Sequence, residues 1–367
     1  MRSRKLLCLM GLLLCLLLCA CGKSQAPQRD SVTLWYPEGD PAAVALAALA
    51  EQYNQTVDRD LLPVSLRALP GADSLAALQS GALPDLLLCS HGEAQVLARE
   101  GLLRDVNAAL GDAVPSYREG LLPGDSAMGR SVFPLGGAVQ LLCLSAEAQA
   151  PKDLDELFAL AAAQGRENGL PYLAVDSYAP LYDQQLLQQG AAFQPLWDSE
   201  RPGETQAAAY NRIARAAFDH GLALAESPAA VLVQAGLLPC AVVDSTSLPG
   251  LELSSCRLLP LPGIDGDTPY VTDPRCLAVT AREGRAGRSL TAFLDWLLTA
   301  EHLDALCQSA GLAPIHTDAA GDGSTLSGVL LDIGNSRSLY PADDDPAYRE
   351  NRAAFEAQIR EALSRLA

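Results

Sequence analysis

The chain has 367 residues, of which 26 are basic and 44 are acidic, so its formal net charge at pH 7 is −18. This charge excludes nucleic acid as a partner, and it excludes attachment to anionic lipid head groups through the protein surface, because both partners are themselves negative. The length exceeds what one hydrophobic core usually serves and predicts two lobes of ~150 to 170 residues each.

The first 20 residues have the pattern of a secretion leader. Basic residues within positions 2–5 precede an apolar run from Leu6 to Leu18, which is the charged start and hydrophobic middle of a signal peptide. Residues 18–22, Leu-Cys-Ala-Cys-Gly, resemble a lipobox, so we expect cleavage after residue 20 and diacylglycerol on the Cys21 thiol. A transmembrane anchor is the alternative, but the apolar run is shorter than the roughly 20 residues that span a bilayer.

Residues 21–30 are expected to form a lipidated tether between the membrane and the folded body. Because two acyl chains hold a protein stably at a bilayer, lipid on Cys21 would keep the protein at the outer face of the cytoplasmic membrane without a spanning helix. The membrane is therefore an expected partner through this lipid alone.

The first third of the body alternates strands with helices. Strand-like runs and helix-like segments follow one another at 31–36, 41–54, 62–66, 73–79, 85–89 and 93–100. Pro41 suits a first helical position, while Asp73 and Gly81 mark the start and the stop of the second helix. This alternation predicts a mostly parallel sheet flanked by helices.

The middle third is rich in helix and predicts a second lobe. Helices are expected at 153–163, 181–188, 204–218 and 228–235, with short strands at 172–175 and 240–243. Strands at 257–260 and 275–280 and helices at 289–299 and 301–309 then indicate a return to the first lobe. Residues 346–366 predict a docked amphipathic helix, whose apolar face includes Phe355 and Ile359.

Six cysteines follow Cys21, at positions 89, 143, 240, 256, 276 and 307. Exported proteins usually pair their thiols, but most of these cysteines lie in apolar runs, where a thiol behaves as a small buried hydrophobe. We expect mostly unbridged, buried thiols. A bridge such as Cys240 to Cys256 is the open alternative.

The sequence offers no constellation for catalysis, metal or cofactor. The four histidines, His91, His220, His302 and His316, lack the close spacing of zinc ligands. Residues 124–128 lack a glycine that a nucleophile elbow needs, and residues 284–289 are too short for a phosphate loop. We therefore expect no enzyme activity and no cofactor.

Several short motifs follow one another in a fixed order along residues 32–318. Gly81-Ala-Leu-Pro-Asp85 opens a strand, Gly101-Leu-Leu-Arg-Asp105 forms a turn, and Gly311-Leu-Ala-Pro314 forms another. Further motif-like stretches lie at 133–144, 150–156, 258–263 and 293–301. Together they resemble the extracellular solute-binding proteins of family 1, the sugar-binding class of ABC importers. The sequence departs from the family at Asp153 and Leu154, where the helix start usually has threonine and tryptophan.

The resemblance implies a two-lobed α/β fold of the periplasmic-binding-protein type (type II) with a hinge between the lobes. The first lobe would comprise residues 31–138 and 262–313, and the second residues 139–261 and 314–367. The lobes would close over a solute held at the carboxyl ends of the strands. The implied partners are a small solute, most simply a carbohydrate, and the permease subunits of an ABC importer. We expect a monomer.

Candidate ligand residues follow from that placement. The first lobe and the crossing offer Trp35, Tyr36, Glu38, Ser90, His91, Pro134, Gly136 and Gly137. The second lobe offers Tyr178, Tyr182, Trp197, Asp244, Ser245 and Thr246. Aromatic rings stack on the apolar face of a sugar, while carboxylates and hydroxyls bind its hydroxyl groups.

Alternative interpretations stay open for several of these residues. Trp35 fits the core as well as the ligand site, and His91 fits a helix cap. Phe293 and Trp296 lie on an apolar helix face and are expected in the core. Asp85 is expected to accept hydrogen bonds from backbone N–H groups. Two other functions also remain, namely an exported scaffold or sensor with the same fold, and an exported hydrolase.

Overall fold

The computed structural model describes residues 31–69, 83–104, 131–189, 204–226, 228–262, 270–280, 285–315, 325–336, 339–341 and 354–361. Its first part comprises β1 (Val32–Pro37), α1 (Pro41–Thr56), β2 (Val64–Leu69), β3 (Leu86–Ser90) and α2 (His91–Arg99). The leader, Cys21, the helix predicted at 73–79 and Trp197 lie outside the described residues.

The middle of the chain begins with the longest strand and continues with short strands and helices. Its elements are β4 (Val132–Ser145), α3 (Leu154–Asn168), β5 (Leu173–Val175), α4 (Ala179–Gln188), α5 (Glu204–Phe218), β6 (Leu222–Leu224), α6 (Ala229–Gln234), β7 (Cys240–Asp244) and β8 (Cys256–Pro260). The last part comprises β9 (Tyr270–Val279), α7 (Arg285–Leu297), α8 (Ala300–Ala310), β10 (Ala313–Pro314), α9 (Leu326–Ser336), β11 (Leu339–Pro341) and α10, residues 354–361.

Local capping explains where several helices begin. Asp40 precedes α1 and accepts a hydrogen bond from the Ala42 N–H at 2.9 Å. Asp153 precedes α3 and accepts from the Glu156 N–H at 2.7 Å. Aspartate is as good a helix cap as threonine. The helix therefore still begins at this position, although the sequence has aspartate at 153 where the family pattern has threonine.

The strands form one curled, mixed sheet in the order β2-β1-β3-β9-β4-β7-β5-β6. β1 is parallel to β2 and β3, and β5 is parallel to β6 and β7. The centre is antiparallel, since β9 pairs antiparallel with β3 and β4, and β4 with β7. The prediction of mostly parallel sheets therefore holds only for the outer strands, because the two long central strands run in opposite directions.

Buried hydrophobic residues cover both faces of the first part of the sheet. Leu34, Leu86 and Leu277 pack under α1, α7 and α8 on one face. Leu87 and Cys276 pack under α2 on the other face. Successive residues of a strand point to opposite faces, so a strand with two covered faces is apolar throughout.

A separate cluster surrounds the second half of β4. It joins residues 141–144 with side chains of α3, α4, α5, α9 and α10. β9 begins in this cluster, where Tyr270 packs, and ends in the first one. The division of the chain at residue 262 stays a prediction. Among the described residues, no helix is both long and apolar enough to cross a membrane.

Candidate functional site

Three strands connect the two hydrophobic clusters. β4 runs from the cluster beneath α1, α7 and α8 into the cluster around residues 141–144, and β9 runs back in the opposite direction. β10 pairs with β4 at Gly136 and Gly137. The strand ends on either side of this crossing carry polar side chains. Since open α/β sheets place ligands at the carboxyl ends of their strands, these ends are the candidate site.

On one side, the first rim consists of Tyr36, Glu38, Asp40, Asp273 and Arg275. Tyr36, the second-last residue of β1, is half-buried, and Glu38, directly after the strand, is exposed. Arg275 lies on β9 directly opposite Ser90, which ends β3. Its Nε donates to Asp40 Oδ2 at 2.7 Å, and its Nη1 lies 2.7 Å from Asp273 Oδ1. The Arg275 side chain is 17% exposed, against 6% for Asp40 and 36% for Asp273.

The two carboxylates determine the electrostatics of this rim. Burial alone would lower the pKa of the Arg275 guanidinium, but Asp273 and Asp40 outweigh burial and raise that pKa. Arg275 is therefore a permanent cation in a fixed orientation. Because two carboxylates face one guanidinium, the cluster is negative overall.

On the other side, the second rim consists of Asp176, Ser177, Asp244, Thr246 and Glu356. Asp244 ends β7, accepts from the Thr246 N–H at 2.9 Å and accepts from Gln140 Nε2 at 3.1 Å. Asp176 follows β5 and accepts from the backbone N–H groups of Ala229 and Asp244. Burial raises the pKa of the Asp176 carboxyl, and neighbouring Asp244 adds to the increase, while the backbone hydrogen bonds oppose it.

Glu356 of α10 closes the beginning of α4. One of its oxygens accepts from Ser177 Oγ at 3.0 Å and from the N–H groups of Tyr178 and Ala179 at 2.9 and 3.0 Å. A carboxylate is stabilised at a helix N-terminus by the unsatisfied N–H groups and by the helix dipole. α10 thus supplies a fixed negative charge to the second rim.

The two rims lie close together along β4. Gly136 pairs with Arg275 of the first rim, and Gln140 pairs with Asp244 of the second. Four residues of a strand span roughly 13 Å, so the rims are separated by about the length of a small solute.

Three predicted residues of the first lobe take part in packing or capping. Trp35 is buried on the face opposite Tyr36, where it packs with Leu87. His91 is fully buried at the start of α2. Ser90 forms a capping box with Glu93, its Oγ accepting from the Glu93 N–H at 3.3 Å. All three are occupied by packing or capping.

The glycines of the crossing are needed for packing. A Cβ on Gly137 would lie 1.9 Å from Thr272 Oγ1, and one on Gly136 would lie 2.7 Å from Cys307 Sγ. Pro134 is also buried, next to the irregularity in the pairing of β4 with β9. The structure therefore places the predicted Pro134, Gly136 and Gly137 in buried positions packed against neighbouring elements.

Three predicted residues of the second lobe are also buried. Tyr182 lies in the core, with its ring centroid 4.3 Å from that of Phe355. Tyr178 is buried as well, and burial followed by the charge of Glu356 raises its pKa to about 12. Ser245 Oγ accepts from the Val139 N–H at 3.0 Å and so fixes the crossing strand. Tyr36, Glu38, Asp244 and Thr246 keep exposed or half-buried positions at the rims.

The sequence interpretation missed Asp40, Asp176, Asp273, Arg275 and Glu356. Arg275 and Asp40 are 235 positions apart in the chain, so no local pattern relates them. The one available signal was an arginine inside an apolar strand, where a charge is almost always paired. Within the described part of the chain, no three His, Cys, Asp or Glu side chains form a group that could hold a metal ion.

Solved structures of solute-binding proteins superpose on most of the chain. The cyclic α-maltosyl-1,6-maltose binding protein from Arthrobacter globiformis matches with a TM-score of 0.67 and 19% identity, covering 92% of this chain and 94% of that one. UgpB from Mycobacterium tuberculosis, in complex with glycerophosphocholine, matches with a TM-score of 0.69 and 18% identity, covering 92% and 98%. The chain has a periplasmic-binding-protein-like fold.

A third protein with this fold is the spermidine/putrescine ABC transporter substrate-binding protein PotD from Streptococcus pneumoniae. It matches with a TM-score of 0.61 and 11% identity, covering 91% of this chain and 100% of that one. No protein-family profile matches the sequence, and no curated protein matches it. These superpositions establish the fold of this chain, while the ligands associated with the three proteins differ: cyclic α-maltosyl-1,6-maltose, glycerophosphocholine, and spermidine or putrescine.

Proposed function

We propose that the protein is a lipid-anchored receptor that binds a small solute between the two rims and delivers it to an ABC importer without altering it. The observation that carries the proposal is the placement of two polar rims about 13 Å apart along β4, on either side of three crossing strands. Closure of the lobes about these strands would bring the rims onto the solute.

The charges of the rims support a solute without net negative charge. The first rim has three carboxylates and one guanidinium, and the second has carboxylates at Asp176, Asp244 and Glu356. An anion would meet repulsion on both sides. Tyr36, with the carboxylates and the Thr246 hydroxyl, offers the mixture of ring and polar groups that suits a neutral carbohydrate.

A thermal-shift screen of the full-length protein in detergent tests this proposal. The compounds are sugars, oligosaccharides, amino acids, polyamines and inorganic anions. A ligand at 100 times its Kd should stabilise the fold by ~2.7 kcal/mol. We expect a shift in unfolding temperature with a carbohydrate that is lost in Tyr36→Ala and retained in Tyr172→Ala. Tyr172 is the control because it directly precedes the first residue of β5, whereas the second rim follows the last residue of that strand.

Two other outcomes would favour other functions. A protein that shifts with no compound, yet unfolds cooperatively, would be a scaffold or sensor with this fold. Release of free sugar from an oligosaccharide by the purified protein would identify a hydrolase.

A further inference from the structure

Arg275 has hydrogen-bond donors that the described part of the protein does not use. A guanidinium carries five N–H groups, and Arg275 contacts Asp40 through Nε and Asp273 through Nη1. Within the described residues, these two carboxylates are the hydrogen-bond and ion-pair partners of its side chain. The described residues therefore leave the N–H groups on Nη2 without an acceptor, next to the end of β3 at Ser90.

The neighbouring carboxylates hold this guanidinium in one orientation. Asp40 is itself fixed, because its other oxygen caps α1 through the Ala42 N–H at 2.9 Å. Asp273 lies two residues before Arg275 on β9 and therefore on the same face of the strand. An arginine fixed on two sides loses little side-chain entropy when it binds a ligand.

The same carboxylates also restrict what the free N–H groups can bind. A lone arginine recognises anions, because its fork matches a carboxylate or a phosphate. Here two carboxylates already exceed the guanidinium charge, so an anionic ligand would be repelled at the distance at which it could accept a hydrogen bond. A neutral oxygen, such as a sugar hydroxyl or ring oxygen, would meet no such repulsion.

We propose that Arg275 is a ligand-binding residue that donates hydrogen bonds to uncharged oxygen atoms of the solute, and that Asp40 and Asp273 position it and discriminate against anions. This inference rests on the proposed receptor function and adds the residue that determines specificity. It predicts that a neutral saccharide binds more tightly than its phosphorylated counterpart.

The test uses the full-length protein in detergent and titration calorimetry. The probes are galactose, maltose, maltotriose and the matched pair glucose and glucose 6-phosphate. Arg275→Lys keeps the charge but loses the planar fork. We expect the Kd for the saccharide that binds to rise at least tenfold, because such a rise corresponds to the loss of one charge-assisted hydrogen bond. Arg166→Lys is the matched control, because Arg166 pairs with Asp219 on the surface of α3, and we expect no change in Kd.

Asp273→Asn is the second variant and keeps the more buried Arg275–Asp40 pair intact. It removes one carboxylate from the first rim, so we expect the preference for glucose over glucose 6-phosphate to fall at least threefold.

An unchanged Kd in Arg275→Lys, or tighter binding of glucose 6-phosphate than of glucose by the wild-type protein, would overturn the inference while leaving the receptor function in place. If Arg275→Lys fails to fold, an unchanged glucose preference in Asp273→Asn would overturn it. Absence of binding by the wild-type protein to every probe would overturn the receptor function, and the inference with it.

Discussion

Buried thiols are a distinctive feature of this chain at the scale of single residues. None of the six cysteines at 89, 143, 240, 256, 276 and 307 is in a disulfide, and all but Cys256 are buried. The burial of these five thiols confirms the expectation from their apolar surroundings, and Cys240 and Cys256 are unbridged in this structure. Burial raises the pKa of Cys143, with smaller contributions from Cys256 and Cys240, and burial also raises the pKa of Cys240 and Cys307.

These raised pKa values predict a loss of stability in alkali. A thiol whose native pKa is raised stabilises the fold fully below its unfolded pKa of about 8.5 and loses that contribution as the pH rises towards the native pKa. Urea denaturation at pH 8 and pH 10 should therefore give a lower free energy of unfolding at pH 10. Cys240→Ala should show a smaller decrease, by ~1 to 2 kcal/mol, since it removes one such thiol. An equal decrease in the wild type and in Cys240→Ala would contradict this explanation.

At the residue scale the sequence predicted the backbone role of Asp85 and left the position of Trp35 open between the core and the ligand site. Asp85 Oδ2 accepts from the Thr33 N–H at 2.8 Å, as expected for a buried aspartate before a strand. Trp35 was ambiguous because both faces of β1 are covered, so alternation cannot tell which neighbour faces the core. Arg275 depends on a distant partner and was invisible to any local pattern.

Helices were more predictable than strands at the scale of elements. α5 has the bounds expected from its amphipathic pattern, 204–218, and α1 begins at its predicted Pro41. The short β6, β10 and β11 were missed because two or three residues show no periodicity. α9 was missed because glycine, serine and asparagine dilute its helical pattern. These short strands and this helix are specified by their contacts with distant parts of the chain.

The dependence of α4 on α10 gives a prediction at this scale. Glu356→Ala would leave the N–H groups of Tyr178 and Ala179 without their acceptor, which should lower the free energy of unfolding by ~1 to 3 kcal/mol. Glu356→Gln keeps an acceptor oxygen and should cost less. Urea denaturation of both variants checks this order. Glu167→Ala, an exposed position in the last turn of α3, is the control and should change stability by less than ~0.5 kcal/mol. Equal losses in Glu356→Ala and Glu167→Ala would show that α10 does not cap α4.

At the scale of the whole molecule, the packing between its two parts depends on how closely the crossing strands approach one another. Gly137 of β4 lies against Thr272 of β9, whose Oγ1 donates to the Ala138 carbonyl at 3.0 Å. Gly136 lies against the Cys307 thiol, which contacts the Leu135 carbonyl at 3.3 Å. A side chain at Gly137 must therefore push β4 away from β9, and one at Gly136 must push β4 away from α8 and β10.

Gly137→Ala tests this packing through its interaction with Thr272. The new Cβ would lie 1.9 Å from Thr272 Oγ1 and 3.2 Å from Thr272 Cβ, so the variant should be destabilised by ~1 to 3 kcal/mol, as overpacked sites are. Thr272→Ala removes the overlapping hydroxyl, and the double variant should therefore lose less than the sum of the two single losses. Urea denaturation of all four proteins measures this coupling. Additive losses would mean that the strands move apart elsewhere and that Gly137 and Thr272 do not constrain each other.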